Sequence, residues 1–113
     1  TARDLQKTDG QWTRAKGFDT FCPIGSDATP PDDLDSLTVV TRVNGAERQR
    51  GVASDMAFHI PMLLAYITTI MTLEPGDLVA TGTPAGVGKL SPGDVVEVEV
   101  LGLSVIRNTV AAS

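Results

Sequence analysis

Leu37-Thr-Val-Val-Thr-Arg-Val43, followed by Asn44-Gly45 and the polar run Glu47-Arg-Gln-Arg50, decides the fold. The first seven residues are rich in β-branched side chains, whose stiff χ1 suits a pleated strand better than a helix. Asn-Gly is the dipeptide that most readily supplies the two positive φ angles of a type I′ turn. The chain therefore doubles back, and Glu47 to Arg50 reads as a return strand with one wet face.

Downstream, the apolar period lengthens. Ile60, Leu63, Leu64, Ile67, Ile70 and Met71 recur three and four residues apart, which predicts one amphipathic helix over about 61–72. Pro61 suits its first turn, where a missing N–H goes unnoticed, and Pro75-Gly76 stops it. Leu78-Val-Ala-Thr81 then reads as a short buried strand entering the loop Gly82-Thr-Pro-Ala-Gly-Val-Gly88. After the turn Ser91-Pro-Gly-Asp94, Val96, Val98 and Val100 alternate with Glu97 and Glu99, the mark of a half-buried strand. Gly102 allows a second hairpin, into Leu103 to Val110. Antiparallel hairpins with a single helix predict an α+β fold around a rolled sheet.

Upstream of the hairpin, residues 1–36 lack clean periodicity and are punctuated by Asp9-Gly10, Gly17, Pro23, Gly25 and Pro30-Pro31. Trp12, Phe18 and Phe21 argue against disorder and for a functional loop segment held by a neighbouring scaffold. The 113 residues are enough for one domain, with 1–36 as the loop segment and 37–113 as the β-rich scaffold.

Composition excludes several function classes. Nine basic residues against fourteen acidic ones, with no basic run, argue against nucleic acid as a partner. The apolar stretch from Ile60 to Met71 is broken by Pro61, Tyr66 and two threonines, and is shorter than the ~20 residues of a membrane span. No basic segment followed by an apolar run suggests a signal peptide. The lone Cys22 excludes an internal disulfide and fits a reducing, cytoplasmic compartment.

Individually, the candidate chemical groups are weak. The loop Gly82–Gly88 lacks the Lys-Ser/Thr ending of a P-loop and the spacing of a dinucleotide site. Lys16, among Ala15, Gly17 and Phe18, could hold an anionic oxygen or simply reach to water along an apolar surface. Arg3-Asp4 could be a local ion pair. His59 has no nucleophile placed beside it by any motif, and reads as a residue at a helix start or on the surface. Cys22 reads as a small buried hydrophobe.

The order of the motifs is more specific than any one of them. Arg3-Asp-Leu-Gln6, Arg14-Ala-Lys-Gly-Phe-Asp-Thr-Phe-Cys-Pro23, Val43-Asn-Gly45, Ser54-Asp-Met56, Leu64-Ala-Tyr-Ile67, Met71-Thr-Leu-Glu-Pro-Gly-Asp77 and Thr81-Gly-Thr-Pro-Ala-Gly-Val-Gly88 follow one another. From Thr1 to about Val110 the chain resembles the fumarylacetoacetate hydrolase family, in the C-terminal portion of its catalytic domain. It looks most like the bacterial acylpyruvate hydrolases, oxaloacetate decarboxylase/tautomerases and 2-hydroxyhepta-2,4-diene-1,7-dioate isomerases.

The resemblance implies a mixed β-roll and an enzyme that cleaves, decarboxylates or isomerises a small 2-oxo or 2,4-dioxo acid. It implies Mg²⁺ or Mn²⁺ in the complete enzyme, chelated by the substrate's 2-oxo-carboxylate and held by three carboxylates upstream of Thr1. No metal ligand is therefore expected within this chain. It also implies a mobile N-terminal lid carrying a His-Glu pair, and a homodimer. Position by position, Lys16 matches the family's active-site lysine, whose charge stabilises an enolate. Gln6 matches a glutamine that bonds substrate or metal-bound water, and Thr83 the Gly-Thr-Pro threonine that binds the substrate carboxylate. Arg3 and Gly82 match residues that support those contacts from behind. A different class stays open: a non-catalytic relic, an assembly module, or half of a split enzyme completed by an N-terminal fragment.

Overall fold

The computed structural model describes residues 1–112. Strands β1 (Thr38–Val43) and β2 (Ala46–Val52) form the expected hairpin, and β3 (Val95–Val100) and β4 (Ser104–Thr109) form the second. All pairs are antiparallel, in the spatial order β2-β1-β3-β4. Asn44 and Gly45 carry φ of 52° and 80°, the two left-handed residues that a type I′ turn needs. The helices are α1 (Arg3–Thr8), α2 (Thr13–Lys16) and α3 (Ile60–Thr68). The result is the α+β class, with a sheet made wholly of antiparallel pairs.

Register divides the sheet into two chemically distinct faces. Val39, Thr41 and Val43 lie opposite Val100, Val98 and Val96, and Val98 lies opposite Ile106, giving an apolar face. Arg42, Glu97 and Glu99 occupy the other, where the Arg42 guanidinium bonds Glu99 at 2.7 Å and Glu97 at 3.2 Å. On β2 the register shifts between Thr41 and Arg42: Thr41 faces Gln49 whereas Arg42 faces Glu47. Arg48 is thus an extra residue, a β-bulge, and beyond it Gln49 and Gly51 point to the apolar face.

Two loops lean on that face. A side chain at Gly25 would collide with the Ile106 methyl, so the 23–26 segment passes directly over β4. One at Gly51 would stand 3.0 Å from Pro84, so the glycine-rich loop passes over β2. The core is thin: Val40 and Ala15 are fully buried and Val43 nearly so.

Two expectations need correction. The α-helix ends at Thr68 rather than near 72, and the turn after it tightens: the Thr69 and Ile70 N–H groups reach back only three residues, to Tyr66 and Ile67, before Met71 bonds Ile67. Ile60, Leu63 and Ile67 are half-buried along one side of α3, and Met62 and Tyr66 on the other are 58% and 66% exposed. Leu78 to Thr81 is not a strand: its backbone pairs with no neighbour, and Leu78 is exposed.

Candidate functional site

An open groove of about 770 Å³ lies where α3, the end of the first hairpin and the glycine-rich loop meet. Ile60 and Leu63 form its helical wall, Thr38, Val39, Gly51 and Val52 its sheet wall, and Thr81 to Ala85 its rim. Arg50 and Asp55 are the charged residues on its lining, and the Arg50 guanidinium is engaged by Glu47 at 2.7 and 2.9 Å. A mostly apolar cleft with a few convergent polar groups is the usual form of a small-molecule site.

The rim is fixed by close packing on β2. Gly86 has φ of 101°, and any side chain there would run into the Arg48 carbonyl. Gly82, at φ 138°, turns the chain just before Thr83. The Gln49 amide spans the gap between strand and loop: Nε2 donates to the Pro84 carbonyl at 2.9 Å and to the Thr83 hydroxyl at 3.1 Å. Thr83 itself is exposed on the rim.

Arg3 and Gln6 on α1 and Lys16 on α2 lie outside the groove lining. The Ala2 N–H donates to the Ala15 carbonyl at 2.9 Å, which pins α1 against α2 around the buried Ala15. Arg3 Nη1 donates to Gln6 Oε1 at 2.9 Å, leaving the Gln6 amide hydrogens free to donate. The exposed Lys16 ammonium stands 6.0 Å from the Trp12 ring centroid, at the outer limit of a cation–π contact. Arg14 grips Asp9 with two bonds of 2.7 and 2.9 Å, and that hydrogen bonding holds the Asp9 carboxyl below its usual range. Thr20 adopts φ of 69°, an unfavourable left-handed conformation for a β-branched residue, in the turn that brings Phe18 and Phe21 to 5.3 Å.

The structure thus joins Arg3 to Gln6 and puts Gly82 and Thr83 on a groove. It makes no direct contact between Lys16 and Thr83. His59 stands just before α3 and contacts Asp35 at 3.0 Å, and is not itself on the groove lining. Cys22 is exposed, contrary to the buried role expected, because the segment around it has little apolar cover. Gln49 escaped notice in the sequence; its signal was Gly51, since a glycine inside a strand marks close approach of another backbone. Among the described residues no three His, Cys, Asp or Glu side chains come together to hold a metal ion. The carboxylates present here therefore do not fit a divalent site by themselves.

The chain's residues 1–111 match the family model described as fumarylacetoacetate (FAA) hydrolase C-terminal. The chain is 47% identical to the mitochondrial oxaloacetate decarboxylase of Dictyostelium discoideum over 95 residues, 81% of this chain and 43% of that protein. It is 44% identical to the mitochondrial oxaloacetate tautomerase of Arabidopsis thaliana, over 95% of this chain and 51% of that one. The solved structure of 5-carboxymethyl-2-hydroxymuconate delta-isomerase from Mycobacterium smegmatis superposes with a TM-score of 0.94 at 43% identity, covering 100% of this chain and 45% of that one. The chain spans about half the length of the curated relatives it matches.

Proposed function

Since this chain belongs to the fumarylacetoacetate hydrolase family, a family of hydrolases, decarboxylases, tautomerases and isomerases, we propose that it is the substrate-binding part of an enzyme acting on a small 2-oxo or 2,4-dioxo acid. The observation that carries this reading is the exposed Thr83 hydroxyl, braced from behind at the rim of an apolar groove. A carboxylate reaching that rim meets the hydroxyl and the loop's backbone, while the rest of a short acid lies against Ile60, Leu63 and Val39. Lys16 supplies fixed positive charge where an enolate develops, and Gln6, oriented by Arg3, donates its free amide hydrogens to an oxygen of substrate or water. Both lie outside the groove lining, so completing the pocket around them needs the rest of the enzyme.

In the complete protein a divalent cation, Mg²⁺ or Mn²⁺, would polarise the 2-oxo group. Its carboxylates come from outside these 113 residues. The partner in assembly is a second copy or an N-terminal portion of the enzyme. We place the protein in the cytoplasm, on the support of a single, exposed cysteine. Among the described residues no helix is long and apolar enough to cross a membrane.

The test is turnover of oxaloacetate by the full-length protein with Mg²⁺ present, followed by the absorbance of the enol and by pyruvate release. Loss of enol absorbance faster than in buffer, with or without CO₂ loss, supports the reading. No acceleration with oxaloacetate or with an acylpyruvate would sink it.

A further inference from the structure

We propose that Gln49 is a positioning residue that sets the direction of the Thr83 hydroxyl, making it a dedicated hydrogen-bond donor toward the groove. The inference deepens the function proposed above and rests on it. An amide can be built either way round, but here chemistry chooses: the Pro84 carbonyl only accepts, so the group 2.9 Å from it must be the Gln49 NH₂. Its second hydrogen then goes to the Thr83 oxygen at 3.1 Å. A hydroxyl whose oxygen accepts on one side must send its own hydrogen elsewhere. Thr83 is exposed on the groove rim, so that hydrogen faces the side from which a carboxylate arrives. An unbraced threonine would rotate among its rotamers and lose that bias each time.

The backbone is built to bring this amide to this place. Without the extra residue at Arg48, Gln49 would fall on the opposite, charged face of the sheet, because a one-residue slip reverses every side chain. With it, Gln49 and Gly51 both face the loop. Gly51 leaves room for Pro84, and Gly86 lets the loop close onto the bulge carbonyl itself. Bulge, two glycines and one amide thus converge on a single hydroxyl, more than is needed to tether a surface loop.

Full-length protein carrying Gln49→Leu, Gln49→Glu, Thr83→Val or the Leu/Val pair tests this, with the Kd for oxaloacetate and KM against kcat as readouts. Gln49→Leu should weaken oxaloacetate about tenfold, raising KM far more than it lowers kcat. Gln49→Glu should be worse, since a carboxylate cannot donate to Pro84 and would draw the Thr83 hydrogen to itself. The double variant should bind no more weakly than Thr83→Val alone, because the amide acts only through the hydroxyl. Should Gln49→Leu fail to fold, the near-isosteric Gln49→Glu carries the test. Losses that simply add in the double variant, or a Gln49→Glu protein that binds like wild type, overturn the positioning role while leaving the substrate site standing. Wild-type protein that binds no oxaloacetate, or a Thr83→Val variant that binds it normally, overturns the site itself and this inference with it.

Discussion

Asn44 holds φ of 52° and also ties the first hairpin to the second: its Nδ2 donates to Asp94 at 2.8 Å, and its Oδ1 accepts from the Val95 N–H at 2.9 Å. Asn44→Ala forfeits both bonds and the tolerance for a left-handed backbone, and should cost about 1–3 kcal/mol in thermal or urea unfolding. Asn44→Gly should recover only the conformational share. The same contact bears on pH. The Ser91 N–H, and after it the Asn44 amide, hold the Asp94 carboxyl below its ordinary 3.8, and Arg50 does the same for Glu47 below 4.5. Carboxyls depressed in the folded state stabilise above the ordinary values and lose that contribution as pH falls through the folded ones. Tm should therefore be level above pH 4.5 and fall in more acid solution, and the Asn44→Ala variant should show a smaller fall. At Lys16 the expectation concerns rate. In the full-length enzyme Lys16→Met should keep the fold and cost on the order of 10²–10³ in kcat, whereas retention of more than about a tenth would remove Lys16 from the chemistry.

Among the elements, the glycine-rich loop is held more tightly than its composition suggests. Gly86→Ala would force a side chain into the Arg48 carbonyl at a positive φ, and should destabilise by about 2–4 kcal/mol while unseating Thr83. Gly88→Ala, with open space around it, should stay within about 0.5 kcal/mol of wild type. The contrast shows how far a sequence speaks. Both hairpins were legible because alternation of valine with polar residues and the Asn44-Gly45 turn are local signals that agree with each other. Thr83 and Lys16 become candidates only through the order of motifs, since neither stands out chemically among its neighbours. The bulge at Arg48 was not, because an extra residue in a ladder changes pairing without changing composition. Leu78 to Thr81 failed for the opposite reason: its residues suit a strand, but a strand exists only where another edge pairs with it.

The whole molecule exposes 8611 Å², whereas a compact monomer of 11.9 kDa exposes about 5900 Å². Its radius of gyration, 15.3 Å, also exceeds the ~13 Å expected for this length. The surplus is apolar in character, with Trp12, Ile24, Phe58, Tyr66 and Ile70 each more than half exposed. Surplus of that size falls in the range that permanent interfaces bury. The 113-residue chain alone should therefore associate with itself or with the rest of the enzyme, and Trp12 fluorescence should shift to the blue as it does. Sedimentation at several concentrations checks this; a concentration-independent monomer that unfolds cooperatively would contradict it. The same surplus also governs how the isolated chain would respond to solvent and heat. With much of its surface already wet, unfolding has less left to expose, roughly three quarters of what a compact chain of this length would. Its urea slope and heat-capacity increment should shrink in that proportion, giving a broad, shallow transition and a stability curve flattened against temperature. Assembly would then do more than raise the midpoint: it would restore the sharpness of unfolding itself.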